Sequence, residues 1–139
     1  NRPDLVEFQK ENGLKVHKLI LDSPLSNIKE TARLEGQSMG IPNFIFNMAW
    51  GSFDKKVNGY SDKMKLSYLL NNTKLPTLIL YSDGDKTTPA SILETEVEGL
   101  FNVYPVLFKD CEHVKLYTRE EYKERYTSRV NTFLRSNDL

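Results

Sequence analysis

Three groups of residues have types and spacing suited to nucleophilic chemistry. Ser38 sits in G-Q-S-M-G, Gly36 to Gly40, which fits the G-x-S-x-G spacing that exposes a serine nucleophile on a sharp turn between a strand and a helix. Asp85 closes the tetrapeptide S-D-G-D, and His113 closes D-C-E-H further along. Together the three types can make a proton relay: the acid fixes the imidazole tautomer and stabilises the imidazolium, while the imidazole takes the serine proton. The order Ser38, Asp85, His113 is one that such relays use.

Whether they can meet depends on the elements that carry them. Pro3 to Gly13 reads as a short helix with an N-terminal proline and a glycine stop. Val16 to Leu21 (VHKLIL) reads as a buried strand ended by D-S-P. Asn27 and Glu30 form a capping-box pattern, which predicts a helix from Ile28 towards Gly36. Pro42 to Trp50 is apolar and aromatic and Ser61 to Leu70 is helix-like, so Phe44, Phe46, Met48 and Trp50 are expected to pack a core.

Leu75 to Tyr81 carries the strongest strand signal, with Ser82 to Asp85 at its end. Ser91 with Glu94 is a second capping-box pattern, for a helix stopping near Gly99; Val103 to Phe108 is a third strand. Thr118 with Glu121 is expected to cap a last helix, whose Tyr122, Tyr126, Val130, Phe133 and Leu134 recur at helical spacing.

Strands alternating with helices predict right-handed crossovers, hence an α/β chain with a parallel sheet covered on both faces. Three strands amount to half of a sheet, because a usual sheet has about five or six and bare apolar edges invite association. Ligands of such sheets bind beyond the carboxyl ends of the strands. The tips there are Asp22-Ser23-Pro24, Ser82 to Asp85, and Asp110 to His113.

Asp85 and His113 therefore stand at strand tips, whereas Ser38 does not. N-I-K-E-T-A-R-L-E before it is helix-forming where the elbow needs a strand, and Pro42 and Asn43 interrupt where it needs a helix. Ser38 is accordingly read as a decoy. Ser23 and Ser82 lie at strand tips but in no elbow pattern. Asp22 is an alternative acid within reach of the same histidine; its preferred role is structural, bonding loop amides before Pro24.

The bulk properties exclude several classes. With 139 residues the chain has the length of one domain, and 19 basic residues balance 19 acidic ones with no run of five like charges. That leaves no electrostatic footprint for nucleic acid or an anionic membrane. A single cysteine, Cys111, forms no internal disulfide, and no apolar run has the length of a spanning helix. A reducing, cytoplasmic setting is the expectation. The opening N-R-P-D, with no initiator Met, suggests an upstream segment.

At the strand tips the residues resemble a family. L-P-T-L-I-L-Y-S-D-G-D-K-T-T-P looks like the segment of the α/β-hydrolase superfamily that carries the catalytic acid, an apolar strand running into a loop with an aspartate and, four residues on, a proline; Asp85 and Pro89 match. V-L-F-K-D-C-E-H-V is similar to that family's last strand and histidine loop, with His113 in the catalytic place. L-I-L-D-S-P is similar to the strand tip before the lid in the serine-aminopeptidase-like branch.

The resemblance covers nearly the whole chain and runs to the C-terminal half of that family, whose nucleophile elbow and oxyanion-hole loop lie upstream of the D-S-P strand. It implies that residues 1–139 are a partial α/β-hydrolase domain with a helical lid-like segment over about 27–70. It further implies acyl transfer on an ester, thioester or amide in a small-molecule substrate, with Asp85 and His113 as acid and base. The serine would lie outside this chain, which by itself would be inactive. No cofactor and no metal is implied.

Two other classes fit parts of the pattern. Asp83-Gly84-Asp85-Lys86-Thr87 reads as D-x-D-x-T of haloacid-dehalogenase-like phosphatases, in which one aspartate attacks phosphorus, the next is a general acid, and magnesium is held by carboxylates. Asp110 and Glu112 are then the further acidic pair. Alternatively the chain is a non-catalytic module whose exposed sheet edge, beside Val16 to Leu21, pairs with a missing N-terminal half or a partner chain.

Overall fold

The computed structural model describes Gly13 and residues 15–136; apart from Gly13 itself, the helix expected over Pro3 to Gly13 lies outside the described residues. Three strands, β1 (Leu19–Asp22), β2 (Thr77–Ser82) and β3 (Val103–Phe108), form one parallel sheet in the order β1-β2-β3. Leu19 is level with Thr77 and Thr77 with Val103, so the three carboxyl ends finish on one side. Among the described residues β1 and β3 each have a single strand neighbour.

Between β1 and β2 the chain forms α1 (Ile28–Ser38), α2 (Asn43–Lys56), a 3-10 turn (Tyr60–Met64) and α3 (Leu66–Thr73). After β2 comes α4 (Ala90–Val97), and after β3 comes α5 (Glu120–Arg135). Among the described residues, no helix is long and apolar enough to cross a membrane.

The strand expected from Val16 starts at Leu19, because its partner offers no ladder earlier. Lys74 turns out of α3 with φ 52°, and Pro76 supplies only its carbonyl, which accepts from the Leu19 amide at 2.9 Å. Lys18 has another task. Its ammonium donates to the Phe133 carbonyl at 2.6 Å and to the Ser136 carbonyl at 2.5 Å, capping the negative end of α5.

β2 is buried along its whole length, which is why it reads as a continuous apolar run. Ile79 and Tyr81 point to one face, into a core with Leu66 and Leu70 of α3 and Leu93 and Val97 of α4. Leu78 and Leu80 point to the other, into Phe108, Cys111, Leu116 and Phe133 of α5. Side chains of that size, fully buried, contribute roughly 1.5–3 kcal/mol each.

The aromatic middle does not pack this core, contrary to expectation. No residue of α2 is buried, and Phe44 and Met48 are 66% and 68% exposed. Both sheet faces are already occupied, so α2 lies against α1 instead. Gly36 is buried there, and a methyl on it would touch Ile41 and Phe46 at 3.8 and 3.9 Å. Phe46 stacks on Trp50 at 5.9 Å, and Trp50 meets Phe53 at 4.9 Å, sharing partial cover within the helix.

Of the three capping patterns, one is built. Asn27 Oδ1 accepts from the Glu30 amide at 3.1 Å, while the Glu30 carboxylate turns to Arg33 rather than back to the cap. Helix α4 starts at Ala90 behind Pro89 without a side-chain cap, and Glu94 instead accepts from the Tyr81 hydroxyl at 3.0 Å. Helix α5 starts at Glu120, again without a side-chain cap: Thr118 donates to the Lys115 carbonyl, and Glu121 takes a bond from Arg119. A nearby charged or phenolic partner outcompetes the reciprocal cap in each case.

Candidate active site

The loops after β2 and β3 are tied into one unit by the residue that ends β2. Ser82 is 2% exposed, and its hydroxyl oxygen accepts from the Gly84 amide at 3.1 Å and from the Cys111 amide at 2.9 Å. Asp83 adds a second tie, accepting from the Asp110 amide at 2.8 Å. The loops press together at Gly84, where a methyl would come within 2.7 Å of the Cys111 nitrogen and 2.8 Å of the Asp110 carbonyl carbon. Only glycine fits that approach.

This packing presents Asp85 to His113. Asp85 is 4% exposed, and its Oδ2 lies 2.7 Å from His113 Nδ1. Oδ1 accepts from the amides of Thr87 and Thr88 at 2.8 and 2.9 Å, an Asx-type turn that leaves the carboxylate no freedom to rotate. Burial by itself would raise this carboxyl's pKa. The bonds from the Thr88 hydroxyl and amide, from His113 and from the Thr87 amide outweigh it and hold the group below its ordinary value.

His113 is about one-third exposed at its side chain. With Nδ1 turned to the buried acid, Nε2 lies on the opposite side of the ring. The loop that holds it is strained: Asp110 and Val114 have φ of 55° and 56°, and a β-branched residue there is an outlier of the kind that collects at functional sites. Cys111 anchors the loop by packing fully buried beside Phe108 and Leu116, and burial pushes its thiol pKa up.

The other candidates go elsewhere. Asp22 does not bond the loop amides expected of it, nor His113. Its oxygens accept from the Ser23 hydroxyl at 2.9 Å and the Tyr126 hydroxyl at 3.1 Å, tying the tip of β1 to α5. Burial and the Asp22 charge push the Tyr126 phenol up to about 12. Ser23 and Ser82 are thereby both engaged in holding the scaffold.

Ser38 ends α1, and its exposed hydroxyl donates to the Glu35 carbonyl of the same helix at 2.7 Å. A helix precedes it and no strand does, so it is not on an elbow. It does share a cleft with Asp85. This open cleft, of about 960 Å³, runs between α1 and the loop after β2, with Leu25, Ile28, Ala32, Leu34 and Pro89 as its apolar walls.

The two aspartates of D-x-D-x-T are committed to different partners, Asp83 to the Asp110 amide and Asp85 to His113. Glu112 faces Arg119 at 3.7 Å. Among the described residues, no three His, Cys, Asp or Glu side chains gather as metal ligands. Sequence reasoning missed Thr88, whose hydroxyl touches the Asp85–His113 pair, and Tyr126; the signal for Thr88 was its place three residues after the acid, where an Asx turn closes.

No family model matches the sequence, and no curated protein matches it. The fold does have a solved counterpart. An alpha/beta hydrolase enzyme from the metagenome of sediments of the Mar Chica lagoon, Morocco, superposes with a TM-score of 0.53 at 14% identity, over 94% of this chain and 55% of that one. The chain thus has an α/β-hydrolase-like fold and spans about half the length of that enzyme.

Proposed function

We propose that this chain supplies the acid and the histidine of a hydrolase that cleaves an ester, thioester or amide by acyl transfer, with the nucleophilic serine outside the chain. The observation that carries the reading is the 2.7 Å contact between the buried Asp85 carboxylate and His113 Nδ1. A carboxylate there keeps the proton on Nδ1 and leaves Nε2 as the base. As the serine attacks the carbonyl, Nε2 takes its proton and Asp85 stabilises the imidazolium. The imidazolium then protonates the leaving group, and water, deprotonated by the same nitrogen, releases the acyl group.

The substrate in this reading is a small molecule with an apolar acyl or aromatic group, which the walls of the cleft beside Asp85 would cover. The segment over about 27–70, between β1 and β2, would serve as the lid. The resemblance of the L-I-L-D-S-P tip to the serine-aminopeptidase-like branch supports reading the chain as the C-terminal half of such a hydrolase, in which an N-terminal half or a partner chain would pair along β1. A reducing compartment agrees with the buried, unpaired Cys111.

The test is His113→Ala in a protein that includes the nucleophile. Turnover of a simple aryl ester should vanish while the circular dichroism spectrum is unchanged. Full activity in that variant would sink the assignment.

A further inference from the structure

The Thr88 hydroxyl has a place in the site that no part of the reading above assigns. Its Oγ1 lies 2.7 Å from Asp85 Oδ2, 3.3 Å from His113 Nδ1 and 3.4 Å from the Ser23 carbonyl. A hydroxyl has one proton to give. The charged oxygen at the shortest distance takes it, so Thr88 turns a lone pair, not a proton, towards the imidazole.

Nδ1 then faces two oxygens that can only accept from it: Oδ2 of the ionised Asp85, and Oγ1 of Thr88. Since Oδ1 is held by the Thr87 and Thr88 amides, no part of the carboxylate can swing to offer Nδ1 anything else. We propose that Thr88 is a positioning residue, whose hydroxyl locks the Asp85 carboxylate and thereby holds His113 in the Nδ1–H tautomer with Nε2 bare.

The inference rests on the assignment of Asp85 and His113 as acid and base, and the experiment separates the two. Only two histidines are present, His17 and His113, so nitrogen-15 spectra of the ring can be assigned without ambiguity, with the exposed His17 as the reference ring and circular dichroism as the check that each variant folds. The spectra are recorded at about pH 9, well above the ordinary histidine value near 6.5, and the tautomer is read from the two ring nitrogens.

The unaltered chain should show His113 as Nδ1–H with a slowly exchanging proton. Thr88→Val and Thr88→Ala should each raise the exchange rate of that proton about tenfold, as the loss of one hydrogen bond to a charged group predicts, and bring in the Nε2–H form. Thr88→Ser keeps the hydroxyl and should match the unaltered chain. A Val or Ala variant with unchanged tautomer and exchange, where Asp85→Asn loses the Nδ1–H signal, would overturn the role of Thr88 alone. If Asp85→Asn also changes nothing, the acid and base assignment falls with it.

Discussion

Asp85 Oδ2 and His113 Nδ1 lie 2.7 Å apart although one residue follows β2 and the other follows β3. Parallel strands bring their carboxyl ends to one side of the sheet, and the Ser82 hydroxyl then clamps the two loops by accepting an amide from each. The contact is therefore built by the scaffold. The bonds at the acid are also not interchangeable: Oδ1 is taken by backbone amides and Oδ2 by the side chains of His113 and Thr88.

Asp85→Asn puts an amide where the acceptor pair stands, and its NH₂ facing Nδ1 would favour the wrong tautomer. In a protein that includes the nucleophile, kcat should fall about 10⁴-fold with little change in KM. Steady-state kinetics on an aryl ester measure this, and a loss below tenfold would remove Asp85 from the role of acid.

The same carboxylate gives stability a pH dependence. Its pKa in the folded chain lies below the ordinary 3.8, so its contribution is fully present at neutral pH and is lost as pH falls below about that value through the folded pKa. Urea unfolding of the unaltered chain and of Asp85→Asn should therefore diverge most near pH 7 and converge towards pH 3. A gap that widens on acidification would contradict the bonding described.

Ser38 should not behave as a nucleophile, since its hydroxyl is spent on the Glu35 carbonyl at the end of a helix. A fluorophosphonate probe should leave the chain unlabelled, as judged by intact mass. Labelling that disappears in Ser38→Ala would reinstate this serine.

Gly84→Ala tests the press between the loops. A methyl 2.7 Å from the Cys111 nitrogen must push backbone aside, and the cost should be about 1–3 kcal/mol. Thermal unfolding reports the cost, and the His113 resonances should shift with it. An unchanged midpoint would mean the loops are not in contact at Gly84.

Helix α2 and the sheet should differ sharply in sensitivity. Leu80→Ala, at a fully buried position in the central strand, should cost about 2–5 kcal/mol. Phe44→Ser and Met48→Ser, at exposed positions, should stay within about 0.5 kcal/mol. Equal losses from both sets would restore the core role that the apolar composition of α2 first suggested.

Much of this was legible in the sequence, and the part that was not has a common cause. The run from Leu75 to Tyr81 and the segment Val103 to Phe108 announce strands because apolar and β-branched residues there are bounded by turn residues, and those bounds place Asp85 and His113 at strand tips. Local pattern also disqualified Ser38, because an elbow needs a strand that its neighbours cannot form.

What the pattern could not assign is competition for partners. Phe44 and Met48 look like core residues until both faces of the sheet are found to be taken by α3, α4 and α5. Asp22 reads as a structural aspartate for its own loop amides, and only the fold shows that Tyr126, far along the chain, and the Ser23 hydroxyl take its carboxylate instead. Ser91 and Thr118 look like caps until the helices are found to start at Ala90 and Glu120, which puts Ser91 inside its helix and Thr118 ahead of the cap position, while Glu94 and Glu121 bond Tyr81 and Arg119. A side chain's type and spacing determine what it is able to bond, and only the folded arrangement decides which neighbour arrives first, because each proton, lone pair and patch of apolar surface is used once.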